Sequence, residues 1–213
     1  MHHTQPPRND MQIPPDKHLK ERFFNAFASR PRPLATQILR PTVSYDGDRL
    51  RELLATNTPM ELSVYDLRTE VEGNLWMLAP EAFRYFLPAF LHASLESYAS
   101  VSVFVSELVG ALTKPSRTDV VETLDRATRL PSGLGLPNDM TELLRKQQLE
   151  WFDSGTPLAI FHERVDSLTP AEGGAILDFF VTLQETHGAD FPFGELEIAV
   201  DRYWSRYRAF MGN

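Results

Sequence analysis

Cysteine is absent from all 213 residues. That absence removes disulfide frameworks, thiolate zinc sites, iron–sulfur clusters and cysteine nucleophiles together. Long apolar runs are missing as well. The N-terminus reads MHHTQPPRNDMQIPPDKHLKER, without the apolar core of a signal peptide. No later stretch offers the roughly 18 apolar residues of a membrane-spanning helix. The richest apolar neighbourhood, Phe83 to Leu95, is interrupted by Arg84, Pro88, His92 and Ser94. A cytoplasmic protein with no membrane partner is therefore expected. Phosphate loops are also lacking: Gly133-Leu134-Gly135 is followed by Asn138 where a third glycine belongs, no strand precedes it, and no Walker lysine motif occurs. With no G-x-S-x-G nucleophile motif either, no catalytic residue and no cofactor is expected.

What is present is an ordinary globular composition, 42% apolar and 23% charged, enough to build a core without a metal or crosslink. The charge is acidic, −8 in all, and unevenly spread. Residues 1–57 hold nine Lys/Arg against six Asp/Glu, residues 58–112 hold two against seven, and residues 113–213 hold ten against sixteen. Such a body repels phosphate backbones and argues against nucleic acid. It favours a basic protein partner and speeds encounter with one; the plainer account is solubility.

The patterning predicts an all-α, single-domain bundle of about nine helices over residues 16–213, behind a flexible, disordered N-terminal arm at residues 1–15. Pro6, Pro7, Pro14 and Pro15 mark that arm. Asp16 is expected to cap a helix carrying Leu19, Phe23, Phe24 and Phe27, and Asp46 or Asp48 to start another around Leu50, Leu53 and Leu54. Thr58-Pro59-Met60-Glu61 has the form of a capping box for a helix reaching Glu72, with Ser63 as an alternative start. Leu75-Trp76-Met77-Leu78 has no legible conformation. Pro80-Glu81 opens the strongest helix, with Phe83, Phe86, Leu87, Phe90 and Leu91 in a stripe, and Pro88 is expected to kink it. Later helices are expected near Val101–Leu112, Thr118–Leu130, Asn138–Asp153 and Pro157–Val165, from a capping box at Thr169–Glu172 to Gly188, and from Gly194 onward.

Leu78-Ala79-Pro80-Glu81-Ala82-Phe83-Arg84-Tyr85-Phe86-Leu87-Pro88-Ala89-Phe90-Leu91 resembles the central motif of an uncharacterised bacterial helical domain family of unknown function. The helix opening Leu168-Thr169-Pro170 and the pair Tyr203-Trp204 fit the same pattern, so the likeness spans roughly residues 20–208. Gly173-Gly174 departs from the helix formers that the pattern carries. The resemblance implies an association with toxin–immunity genes and supplies no catalytic residues.

Two constellations are candidates for function. His162, Glu163 and Asp166 could supply metal ligands to a metal-dependent enzyme, since His162 and Asp166 share a helix face. The zinc-protease pattern would need a second histidine where Asp166 stands, and the plainer reading is a solvated face. The second is the acidic run Glu61, Asp66, Glu70 and Glu72, offset only by Arg68. Like charges on one helix cost stability, so a docking surface for a basic partner such as a toxin explains them; a solvated face is the plainer alternative. His92 with Glu96 is expected to form a helix-stabilising pair, and His187 a cation at a helix C-terminus. A structural or adaptor subunit remains the third functional class.

Overall fold

The computed structural model describes residues 17–41, 47–128 and 138–211. The N-terminal arm, the Asp16 cap, Asp46 and the Gly133–Gly135 loop lie outside the described residues. Ten α-helical segments follow in order: α1 (Lys17–Ala26), α2 (Asp48–Thr56), α3 (Val64–Asp66), α4 (Pro80–Glu96), α5 (Tyr98–Leu112), α6 (Arg117–Thr128), α7 (Asn138–Asp153), α8 (Thr156–Val165), α9 (Pro170–His187) and α10 (Glu195–Arg202). Short 3-10 and π turns join them, and the described residues contain no strand. The all-α expectation holds, with ten α-helical segments among the described residues against the nine or so expected.

α4 is apolar almost all round, which is why it is central. Ala82, Phe83, Phe86, Leu87, Ala89, Phe90 and Leu91 are all buried, and the helix packs against α1, α5, α8 and α9. A helix apolar on every side must be enclosed. Each enclosed Phe or Leu contributes about 1.5–3 kcal/mol of transfer free energy. α4 continues through Pro88 to Glu96. A break in helical dihedrals falls in α5, at Val101 (φ −129°, ψ 23°).

α9 is the second pillar. Thr169 Oγ1 accepts from Glu172 N while Glu172 Oε2 accepts from Thr169 N at 2.7 Å, so the expected capping box is closed. Glu172 is fully buried and is also gripped by Arg30, through Nε at 2.5 Å and Nη2 at 2.6 Å. That fork ties the end of α1 to the start of α9 and holds the Arg30 guanidinium above its ordinary pKa.

The Gly173-Gly174 pair is explained by what covers it. A Cβ on Gly173 would lie 2.4 Å from the Tyr207 ring, and one on Gly174 would lie 2.5 Å from the Phe210 carbonyl oxygen. The C-terminal 3-10 segment Trp204–Phe210 lies directly on the α9 backbone, and only glycine allows that approach. Trp204 anchors the segment: it is fully buried and its Nε1 donates to Leu112 O at 2.7 Å.

The undecided Leu75–Leu78 stretch is a 3-10 turn (Leu75–Met77) running into an isolated antiparallel bridge between Leu39 and Leu78. Arg40 N donates to Met77 O and Ala79 N to Ile38 O. The residues flanking Leu39 and Leu78 thus satisfy backbone groups of one another without forming a sheet.

Candidate partner-binding surface

The acidic run lies where residues 58–76 meet α5. Thr58-Pro59-Met60-Glu61 starts no helix. Glu61 Oε2 accepts from Thr58 N at 2.7 Å and Glu61 N donates to Thr58 O, which closes a tight turn. The Thr58 amide holds the Glu61 carboxyl below the ordinary glutamate pKa. The helix begins at the alternative start. Ser63 Oγ accepts from Asp66 N, and Asp66 Oδ2 accepts from Ser63 N at 3.0 Å, a complete capping box on α3. After Asp66 the coil widens into a π segment, Leu67–Val71, with Leu67 and Val71 buried.

Glu72 and Glu107 form a reciprocal clasp at the end of that segment. Three residues after the break at Val101, Phe104 N donates to Glu72 Oε2 at 3.1 Å. In return Glu107, on α5, accepts from Gly73 N at 2.9 Å and Leu75 N at 3.1 Å. Burial pushes the Glu107 carboxyl above its ordinary pKa and the nearby Glu72 adds to the rise, against the two amide bonds. Gly73, at φ +77°, makes the turn between them.

Two corrections follow for the four acidic candidates. Asp66 and Glu70 are half-buried, not fully exposed as the pattern predicts. Three of the four carboxylates also have backbone amides to accept from, so stability accounts for Glu61, Asp66 and Glu72 without a partner. Glu70 differs: among the described residues its carboxylate makes no hydrogen bond or ion pair, while its backbone carbonyl accepts from Asn74 Nδ2.

Sequence patterning missed the apolar companions of this run. Tyr65 is 73% exposed, Trp76 56% and Val103 65%, with Met60 similarly open. Trp76 is pinned by Nε1 donating to Gly73 O at 3.1 Å. Val103 sits beside Phe104 and one turn before Glu107, so Trp76 and Val103 flank the clasp. Tyr65 lies two turns before Glu72 on the side away from Leu67 and Val71. Outward aromatic residues among carboxylates are a different surface from a purely solvated acidic face.

The proposed metal set does not assemble. His162 Nδ1 and Asp166 Oδ1 are 2.9 Å apart, but Glu163 turns away to Arg40, Oε2 to Nη1 at 2.8 Å. Among the described residues no group of three His, Asp or Glu is placed to hold a metal ion. The C-terminal turn of α8 is fixed by Arg84, which donates to Glu163 O at 2.5 Å, while Arg164 lies 5.0 Å over the Phe83 ring. His92 pairs with Glu96 as expected, at 3.3 Å. His187 lies in the last turn of α9 as expected, with Nδ1 3.8 Å from Asp190 Oδ2. It stacks on Tyr98 at 3.6 Å, and burial lowers its pKa.

No helix among the described residues is long and apolar enough to cross a membrane. Comparison with protein-family models, with curated proteins and with solved structures finds no match to this chain.

Proposed function

We propose that the chain is a non-catalytic protein-binding module that captures a basic partner on the surface formed by residues 58–76 and the first turns of α5. The observation that carries this is the exposure of Tyr65, Trp76 and Val103 beside Glu70 and the Glu72–Glu107 clasp. Aromatic anchors supply contact area at low entropic cost, and surrounding carboxylates select and steer a basic surface. The net excess of five negative charges over residues 58–112 makes the same surface a poor host for nucleic acid. Residues 16–213 act as one helical domain, without a cofactor, in the cytoplasm. In its sharpest form the partner is a basic toxin, a nuclease among the fitting kinds, whose substrate groove the acidic face covers; that immunity-type role draws on the family resemblance alone.

The test is affinity capture with purified protein, followed by a binding titration of the recovered basic protein. Trp76→Ala should weaken binding at least tenfold, since aromatic anchors commonly carry 2 kcal/mol or more. Glu70→Lys should slow association and flatten its salt dependence. Asp66→Lys is a poorer probe, because it also opens the Ser63 capping box. Binding that ignores both Trp76→Ala and Glu70→Lys would exclude this surface.

A further inference from the structure

The last turn of α8 gathers three guanidinium groups from different parts of the chain: Arg84 from α4, Arg164 from α8 itself, and Arg40 from just past the Leu39–Leu78 bridge. Two of them have acceptors. Arg84 donates to Glu163 O and stands 3.6 Å from Glu81 Oε1, and Arg40 Nη1 donates to Glu163 Oε2 at 2.8 Å. Arg40 nevertheless keeps Nε and Nη2 enclosed with no acceptor. Arg164 is the extreme case. It is 7% exposed, its Nε is enclosed without a partner, and among the described residues its side chain makes no hydrogen bond or ion pair. The Phe83 ring lies 5.0 Å from it, which attracts a cation without satisfying its N–H donors. Burial, and then the nearby Arg40, pull its pKa down to about 10 against Glu107 and Glu163, so it stays charged at neutral pH.

A buried cation with unmade hydrogen bonds is costly, and two of them side by side repel. The nearby carboxylates are already committed: Glu163 to Arg40, Glu81 to Arg84, and Glu107 to the amides of Gly73 and Leu75. None is left to pair with Arg164. We propose that Arg164 and Arg40 form a binding site for a small carboxylic acid in its ionised form, whose carboxylate accepts from the open donors of both guanidiniums. The planar fork of a guanidinium matches a carboxylate in shape and charge. With three carboxylates already placed around three cations, one added negative charge is easier to hold than the two of a phosphate dianion. Arg164 keeps only 7% of its surface and the Arg40 side chain 17%, which suits a small ligand rather than a protein face. The basic partner has no part here, since its cations would be repelled.

The test is an NMR titration of the full chain carrying isotope-labelled arginine, reading the Nε–Hε signals. Sodium acetate is added with ionic strength held constant by sodium chloride. One signal, absent in Arg164→Met, should move and saturate with a Kd on the order of 1 mM. Arg40→Met should weaken that binding severalfold. Acetate should raise the urea midpoint of the wild type and leave that of Arg164→Met unmoved. Without acetate, Arg164→Met should unfold at the same urea concentration as the wild type or a higher one, because the unpaired cation is gone. A lower midpoint would mark Arg164 as structural and count against the site. The wild-type titration stands even where a variant misfolds. Arginine signals that respond to acetate no more than to chloride overturn the proposal, and inorganic phosphate binding more tightly than acetate overturns its choice of a carboxylate.

Discussion

α9 and α7 are similar in length, 18 and 16 residues, and opposite in what surrounds them. Every α9 residue from Glu172 to Phe180 is buried, whereas no described side chain of α7 is. α9 is enclosed by α1, α4, α10 and the C-terminal segment. α7 rests on α6 and α8 and faces solvent with Leu143 and Trp151. The difference is that between a helix whose cover lies within the chain and one whose second apolar stripe is left open. Stability therefore concentrates in the α4–α9 body, to which the α6–α7 hairpin is tied by its packing on α8, by Arg202 to Asp119, with the Nη2–Oδ1 arm at 2.7 Å, and by Arg126 over the Phe193 ring at 4.5 Å.

The largest effects should fall on the body. Arg30→Ala leaves the Glu172 carboxylate buried without its cation, held only by the Thr169 amide, and should cost about 3–5 kcal/mol in urea unfolding. Phe179→Ala, which opens a cavity at a fully enclosed ring, should cost a similar 3–5 kcal/mol. Leu144→Ala in the hairpin should cost about 1 kcal/mol or less, since that half-buried side chain loses little packing. A hairpin substitution as costly as Phe179→Ala would erase the contrast.

Asp178 adds a pH dependence to the body. Burial on α9 pushes its carboxyl up to about 6 despite the ion pair with Arg22. The folded state then holds this proton more tightly than the unfolded chain does. This group's contribution makes stability fall as pH rises from about 4 to 6 and stay level above, and Asp178→Asn should remove that slope. Urea midpoints measured from pH 4 to 7.5 check it, and a slope of opposite sign assigned to Asp178 would contradict the buried placement.

Smaller still is the expected effect of Glu70→Lys on folding, within about 0.5 kcal/mol, because among the described residues its carboxylate makes no hydrogen bond or ion pair to lose. Asp66→Ala should cost about 0.5–2 kcal/mol through its cap. Equal costs for the two would mean that Glu70 is also structural. Amide exchange should rank the regions the same way, with α6 and α7 opening before α4 and α9.

Much of the fold was legible because period and punctuation agree. Pro80 opens α4, Thr169-x-x-Glu172 opens α9, and the Phe83–Leu91 stripe marks the core. What was not legible depends on contacts distant in sequence. Thr58-x-x-Glu61 and Ser63-x-x-Asp66 are equivalent as local patterns, and only the burial of Leu67 and Val71 decides for the second. Gly173-Gly174 looks like weak helix until Tyr207 and Phe210 lie on it. Glu107 carries no local signal, since its partners at Gly73 and Leu75 come from another element. The acidic run and two candidate caps within it were visible, but the hold of Glu72 on Phe104 N was not, nor was the exposure of Tyr65, Trp76 and Val103, because apolar residues at helical spacing ordinarily face inward.

The central claim is that a partner docks on the Trp76–Glu70 surface of the stable body. Amide exchange of the full chain, alone and saturated with the captured basic protein, tests it most directly. The account predicts added protection over residues 63–76 and 98–107, lost in Trp76→Ala, with α7 unchanged by the partner. Protection confined to α6 and α7, with residues 63–76 exchanging as in the free chain, would contradict it.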